Sequence, residues 1–249
     1  MGFYTISKRI ARRVWSEGTI VKLEPSLRRM MKVWYTGKRY ACPCCHSRVR
    51  RFLTDRQICP GCGSSPRHRL QWLYLEKEYD LFRRNETVLD IAPWRYFQRH
   101  CLRQTALRYH SMDIASPWAL ERGDLTALPY RQGTFQVVLC SHVLEHIPGD
   151  QAAMGEMHRI LAPGGMALIQ VPLQGERTFE DPDATSPMER ERVYGRSDHV
   201  RIYGSDIKDR VRQAGFEVEL VPYAEHFDNS DRMRYDLDPD EFLIIGKKP

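Results

Sequence analysis

The sequence predicts an α/β fold: an open, largely parallel sheet covered on both faces, preceded by a small cysteine-rich module. Two observations carry this. Short apolar runs alternate with helix-period segments from about residue 87 onward. Five of the seven cysteines fall between positions 42 and 62. Charge divides the chain in the same place. Residues 1–72 hold 16 Lys/Arg against 3 Asp/Glu, and residues 73–249 hold 22 against 29, so the first part is biased towards anionic partners. With 42% hydrophobic residues the 249-residue chain can bury a sizeable core. No run approaches the ~18 apolar residues of a membrane span. Nothing near the start resembles an export signal, so the expected location is cytoplasmic.

Taken in order, residues 1–40 read as a basic helical extension. Ile6, Ile10 and Val14 fall at helical spacing beside Trp15, with Lys8, Arg9, Arg12 and Arg13 on the same turns. Gly18 and Pro25 follow, then Arg28, Arg29 and Lys32. Two roles fit: packing an apolar stripe on the main domain, or docking on a peripheral anionic surface such as RNA or lipid. Residues 41–70 read as a zinc ribbon and 71–249 as the sheet domain. In that domain 70–82, 151–161 and 205–214 have helical patterns. The runs at 87–91, 107–112, 135–140, 166–171, 216–221 and 241–246 read as strands. The segment 174–204 is too long for an ordinary connection and reads as a lid or substrate loop.

Cys42 and Cys45 form one C-x-x-C pair, and Cys59 and Cys62 form another after thirteen residues. Each pair makes a tight knuckle, and two knuckles can converge on one tetrahedral Zn²⁺ with four soft ligands at ~2.3 Å. Cys44 lies inside the first knuckle, where its side chain should point away. Gly61 and Gly63 suit the turns of the second. Such a closed site is structural, folding a segment too small to build its own core. The basic stretch that follows, Pro66-Arg67-His68-Arg69, fits either a solvated helix start or an arm reaching an anionic substrate.

The sheet domain offers acids at the carboxyl ends of strands: Asp90, Asp113 and, after a glycine, Asp124. Open α/β sheets bind ligands in the crevice beyond those ends. Asp113 is placed to accept ribose hydroxyls, and Asp124 an adenine amino proton with Leu125 against the ring.

Five segments carry a resemblance: VLDIAP (88–93), YHSMDI (109–114), GDLTALPY (123–130), FQVVLCSHVLEHI (135–147) and EMHRILAPGGMALIQVPL (156–173). Their order and spacing resemble the class I S-adenosylmethionine (SAM)-dependent methyltransferases of the type-11-like group. The resemblance implies a Rossmann-like sheet and SAM held by Asp90, Ala92, Pro93, Asp113, Ile114, Asp124, Leu125 and Ser141. The family's first motif usually carries glycines after the acidic residue, whereas this chain has Ile91-Ala92-Pro93-Trp94. The stretch CPGCGSSPRHR and the segment SDHVRIYG (197–204) resemble a subgroup with a preceding zinc ribbon.

Methyl transfer from a sulfonium needs positioning, exclusion of water and, for a hydroxyl or protonated amine, removal of a proton. His142 and His199 are the candidate bases. Asp198, Arg201 and Tyr203 are candidate substrate contacts, and His146 reads as structural. Glu145 and His146 offer two donors, too few for a metal site. The expected acceptor is an oxygen or nitrogen of a small molecule or saccharide. An RNA base is the alternative acceptor, and a non-catalytic zinc-ribbon binding protein is the alternative class.

Overall fold

The computed structural model describes residues 17–249, with side chains from residue 23 onward. The helix expected over 6–15 lies outside the described residues. The elements run α1 (Glu17–Trp34), β1 (Thr36–Ala41), β2 (Arg48–Val49), α2 (Pro66–Lys77), β3 (Thr87–Ile91), α3 (Arg95–Cys101), β4 (Arg108–Asp113), β5 (Glu121–Arg122) and β6 (Phe135–Ser141). They continue with α4 (Asp150–Ile160), β7 (Leu161–Gln170), α5 (Pro187–Tyr194), α6 (Ile207–Gln213), β8 (Glu217–Val221), α7 (Asn229–Tyr235) and β9 (Leu243–Lys247). Two compact units result. One comprises the described residues up to 79 with 224–239, and the other residues 80–223 with 240–249. The division thus falls later than residue 70, and the α7 segment joins the N-terminal unit.

In the N-terminal unit, β1 and β2 pair antiparallel. Helix α1 runs through Pro25. Helix α2 opens at Pro66, with Ser65 as its cap and the His68 ring 3.2 Å from the Ser65 amide. Arg69 is neither solvated nor reaching outward. Its guanidinium is fully buried, donating to the carbonyls of Gln57, Ser64, Tyr235 and Asp236 and pairing with the Asp236 carboxylate at 2.9 Å. It also stacks over Phe52, 4.1 Å from the ring centroid.

The second unit is a seven-stranded sheet in the order β5-β4-β3-β6-β7-β9-β8. Strands β3 to β7 pair in parallel, and β9 is antiparallel to both neighbours. Strand β3 is buried along its whole length, as a central parallel strand covered on both faces should be. The core joins Leu89, Val138 and Ile169 of the sheet to Met154, Met157 and Ile160 of α4 and to Ile207 and Val211 of α6. The chain leaves β3 towards β4 on one side, while β6 begins the other. The order therefore reverses between β3 and β6, and that switch point is where the sheet opens a crevice. The segment 174–204 is less irregular than its length suggests. It contains α5, capped by Ser186 and Glu189, and is tied by bridges between Leu173 and Tyr203 and between Phe179 and Ile202.

Candidate functional site

A cleft of about 680 Å³ lies at this switch point. The ends of β3 and β4 form one wall through Ile91, Ala92, Met112, Asp113 and Ile114, and Gly123 to Thr126 continue it. His142, Val143, His146 and the turn Ile147-Pro148-Gly149 form the other. Of the residues expected to hold SAM, Ala92, Asp113, Ile114, Asp124 and Leu125 are on these walls, whereas Asp90, Pro93 and Ser141 do not line the cleft.

Two turns position the wall carboxylates. Asp113 accepts the amides of Ala115 and Ser116 through Oδ1, at 2.7 and 2.6 Å. Its second oxygen makes no hydrogen bond among the described residues. Asp124 accepts the amide and hydroxyl of Thr126 through Oδ1, both at 2.8 Å, and these bonds hold its carboxyl below the usual range. A Cβ on Gly123 would come within 2.5 Å of the Met112 sulfur, so a larger residue here would have to displace that buried side chain.

The missing glycines of the first motif have an explanation in the backbone. Ala92 itself adopts the left-handed conformation (φ 54°), and its amide donates to the Met112 carbonyl at 2.8 Å. His142, the first residue past β6, is also left-handed (φ 55°), with its amide on the Gln170 carbonyl. Backbone conformations costly to L-residues thus flank the cleft on both sides of the switch point. Asp90, in the middle of the sheet, is 6% exposed and accepts Tyr109 Oη at 2.6 Å. Burial pushes its carboxyl up to about 7 against that hydrogen bond.

The histidines occupy the opposite wall. His142 is largely buried between two carboxylates, with Nδ1 3.3 Å from Glu145 and Nε2 3.2 Å from Glu241. Glu241 also accepts the Gln170 amide at 3.0 Å. Burial pulls Glu145 upward, but the His142 hydrogen bond and charge leave it below the usual carboxylate range. His146 lines the cleft and points Nδ1 at the Asp198 carbonyl, 2.9 Å away. His199 is buried behind it, the two rings edge-on with centroids 4.8 Å apart. Burial holds the His199 imidazole below its usual value.

Arg201 and Tyr203 are not presented to an acceptor. Arg201 is 3% exposed and donates to the carbonyls of Leu144, Ile147 and Pro148 while pairing with Glu180 at 2.7 Å. Tyr203 is fully buried and donates to Asp150 at 2.8 Å. Both hold the turn that makes the cleft wall, a positioning task rather than a contact. Asp198 is half exposed and paired with Arg196 at 3.1 Å. Sequence reasoning did not single out Met112, Thr126 or the turn 147–149 on the walls. The turn follows a strand end by only a few residues, and that position was the available signal.

The cysteine cluster lies wholly in the N-terminal unit. One sulfur from each of Cys42, Cys45, Cys59 and Cys62 lies within 4.8 Å of the others. Cys42 and Cys62 are 3.5 Å apart, and Cys45 and Cys59 3.7 Å. A tetrahedron with ~2.3 Å bonds has edges of roughly 3.8 Å, so the donor set fits Zn²⁺. Ser64 Oγ lies 3.3 Å from both Cys42 and Cys62, and Ser47 Oγ 3.1 Å from Cys45, where hydroxyls support thiolate charge. Cys44 is buried outside the set, its thiol directed at the His68 carbonyl.

A family profile described as a methyltransferase domain matches residues 52–221. The chain belongs to this methyltransferase-domain family. It is 27% identical over 163 residues to the arginine hydroxylase NDUFAF5, a mitochondrial protein of Danio rerio, covering 59% of this chain and 50% of that one. The chain spans half or less of the length of the curated relatives it matches. Among solved structures, the [4+2]-cyclase SpnF superposes with a TM-score of 0.52 at 13% identity, over 92% of this chain and 94% of that one. Phosphoethanolamine N-methyltransferase 2 of Haemonchus contortus superposes at 0.50 and 16% identity, over 72% and 53%. These likenesses establish the Rossmann-like methyltransferase fold, for which SAM is the expected cofactor. Among the described residues no helix is long and apolar enough to cross a membrane.

Proposed function

We propose that this protein transfers a methyl group from SAM to an oxygen or nitrogen of a small molecule or saccharide. The cleft at the switch point carries this reading, with carboxylates on one wall and imidazoles on the other. Asp113 would accept the ribose hydroxyls through its free oxygen. Asp124 would meet the adenine amino group, and Leu125 and Ile114 would cover the ring. Bound SAM supplies an electrophilic methyl group on a sulfonium. The chain's own residues would exclude water and orient the acceptor. His142 would take the acceptor's proton once one of its ring nitrogens is released from Glu145 or Glu241. The four cysteines would hold a structural Zn²⁺, with no open position for chemistry.

RNA is the second reading of the acceptor, favoured by the 16 basic against 3 acidic side chains of residues 1–72. Relatives named as a hydroxylase and a cyclase make SAM binding alone an insufficient test. Calorimetry with SAM and S-adenosylhomocysteine should give binding of both. Label from methyl-labelled SAM should then enter a small-molecule or saccharide extract. Label in total RNA would reverse the choice of acceptor, and binding without any transfer would reject the methyltransferase reading.

A further inference from the structure

Helix α1 leaves a stripe of apolar side chains exposed. Leu27, Met30 and Trp34 recur at the three- and four-residue spacing of one helix face, with Val33 beside them. All four are between 47% and 73% exposed. Single exposed apolar residues need no explanation, whereas a contiguous stripe rimmed by charge marks an interaction surface. A different face of the helix is pinned to the N-terminal unit. Arg28 pairs with Glu24 at 2.8 Å and reaches the Cys59 carbonyl at 3.4 Å. The helix end is fixed as well, because the Tyr35 carbonyl accepts the Arg50 amide at 2.9 Å.

The rim of this stripe is basic. Arg29 and Lys32 are exposed on α1, and Lys38, Arg39, Arg50 and Arg51 are exposed on and beside the β1–β2 ribbon that follows it. Between residues 23 and 54 the only acid is Glu24, which Arg28 occupies. The tyrosines here are covered by guanidinium groups. Those of Arg50 and Arg51 lie 5.4 and 5.5 Å from the Tyr35 ring centroid, and that of Arg39 lies 5.3 Å from the Tyr40 centroid.

The chemistry of the surface selects its occupant. Single-stranded nucleic acid stacks its bases on open aromatic rings, but these tyrosines are capped and the exposed stripe is mostly aliphatic. A second copy of the chain would bring the same cations against themselves. A membrane with anionic headgroups satisfies both features at once. Its acyl region takes Leu27, Met30 and Val33, an indole such as that of Trp34 favours the headgroup level, and the cations meet lipid phosphates. We therefore propose that α1 lies in the plane of an anionic lipid surface, with Leu27, Met30 and Trp34 inserted and the basic rim on the headgroups. The two features act together, since an apolar face or a basic patch alone gives only weak, reversible attachment. This inference stands apart from the methyl-transfer reading and needs no assumption about the acceptor.

The test sediments the full-length, zinc-loaded protein with phosphatidylcholine vesicles, with and without a one-third share of phosphatidylglycerol. Binding should require the anionic lipid and weaken steeply with added salt. Met30→Ser combined with Trp34→Ser should weaken it at least tenfold. Arg29→Gln combined with Lys32→Gln should weaken it roughly 25-fold, at ~fivefold for each basic group near the surface. All four side chains are exposed, so zinc content and near-ultraviolet circular dichroism should not change. Vesicles with brominated acyl chains should quench tryptophan emission, and Trp34→Phe should lose most of that quenching. Absence of sedimentation with the anionic vesicles would overturn the proposal. So would vesicle binding or quenching that the Met30 and Trp34 substitutions leave intact, or a dimer in light scattering that those substitutions dissociate. A single-stranded RNA oligonucleotide held more tightly than the vesicles, with no loss on Trp34 substitution, would assign the surface to nucleic acid instead. SAM binding and methyl transfer are decided by their own assays, whichever way the vesicles answer.

Discussion

The four-cysteine cluster and the strand-end cleft both gather distant side chains, yet they are built in opposite ways. The cluster draws its donors from 21 consecutive positions, 42 to 62, and closes them into a tetrahedron with no room for a reactant. The cleft draws its walls from six separate runs between Ile91 and Ala152, and it stays open because the strand order of the seven-stranded sheet reverses beneath it. A local site is specified by spacing, whereas a sheet-borne site is specified by topology and inherits its precision from the core. The two should therefore fail differently when damaged.

The largest effect is expected at the cluster. Cys59→Ser should lower bound zinc by one equivalent and cost the N-terminal unit about 5 kcal/mol or more, because metal affinity there is folding free energy. Metal analysis and near-ultraviolet circular dichroism would read this. SAM affinity should change less than threefold, since every residue lining the cleft belongs to the other unit. Full zinc content in the variant would break the assignment of Cys59 as a ligand. Lost SAM binding would break the contrast between the two sites.

The cleft has its own anchor. Arg201→Leu removes donors from three carbonyls of the turn 144–148 and leaves Asp150 and Glu180 to Arg210. Leaving a buried carbonyl without its donor costs about 1–3 kcal/mol, and three carbonyls lose theirs. Urea unfolding should show a loss of that order, with SAM affinity lowered because the wall loosens. Arg201→Lys should rescue little, since a single ammonium cannot fork to three carbonyls and a carboxylate. A variant of native stability would show that the turn holds itself.

Arg201 also shows where sequence reasoning stopped. The strands near 87–91 and 135–140 were legible because buried parallel strands are apolar almost throughout, and that near 216–221 because an edge strand alternates apolar and charged residues. The cysteine site was legible because its geometry is its spacing. A lone arginine in a loop carries no sign of its partners, and the Leu144 carbonyl that Arg201 holds lies 57 positions earlier. Arg69 is the same case, with Asp236 167 positions away. The packing of His199 behind His146 likewise needed the fold. Helix α5 is different: Ser186 and Glu189 spell a capping box after which Pro187 opens the helix, a local signal outweighed by the polarity of the segment.

Asp90 tests the core beneath the cleft through pH. Its folded-state value of about 7 lies above the ~3.9 of an unfolded aspartate, so the native state binds the extra proton between these values. Its contribution to stability is therefore full below about pH 4, falls as pH rises through 4 to 7, and is flat above. The ceiling is about 4 kcal/mol at ~1.4 kcal/mol per unit. Asp90→Asn should flatten that part of a urea-midpoint profile, keeping the Tyr109 hydrogen bond. A profile with the same slope in both proteins would show that the carboxyl is ionised and otherwise compensated.

The smallest effect separates the cleft's backbone from its side chains. Ala92 holds φ at 54°, a conformation that costs an L-residue about 1–2 kcal/mol. Ala92→Gly removes the Cβ penalty but adds roughly 0.4–1 kcal/mol of unfolded-chain entropy. The net expectation is a stabilisation of about 0.5–1 kcal/mol, read as a raised urea midpoint with unchanged slope. SAM affinity should be equal or slightly higher, because the amide of residue 92 stays on the Met112 carbonyl at 2.8 Å. Ala92→Val should do the reverse and lose both stability and affinity, since a β-branched side chain is poorly tolerated in the left-handed region. If glycine destabilises the protein instead, the methyl group of Ala92 is a packing contact whose value exceeds its strain. The wall at the end of β3 would then resemble the cysteine site, held by its side chains, rather than a surface shaped by backbone alone.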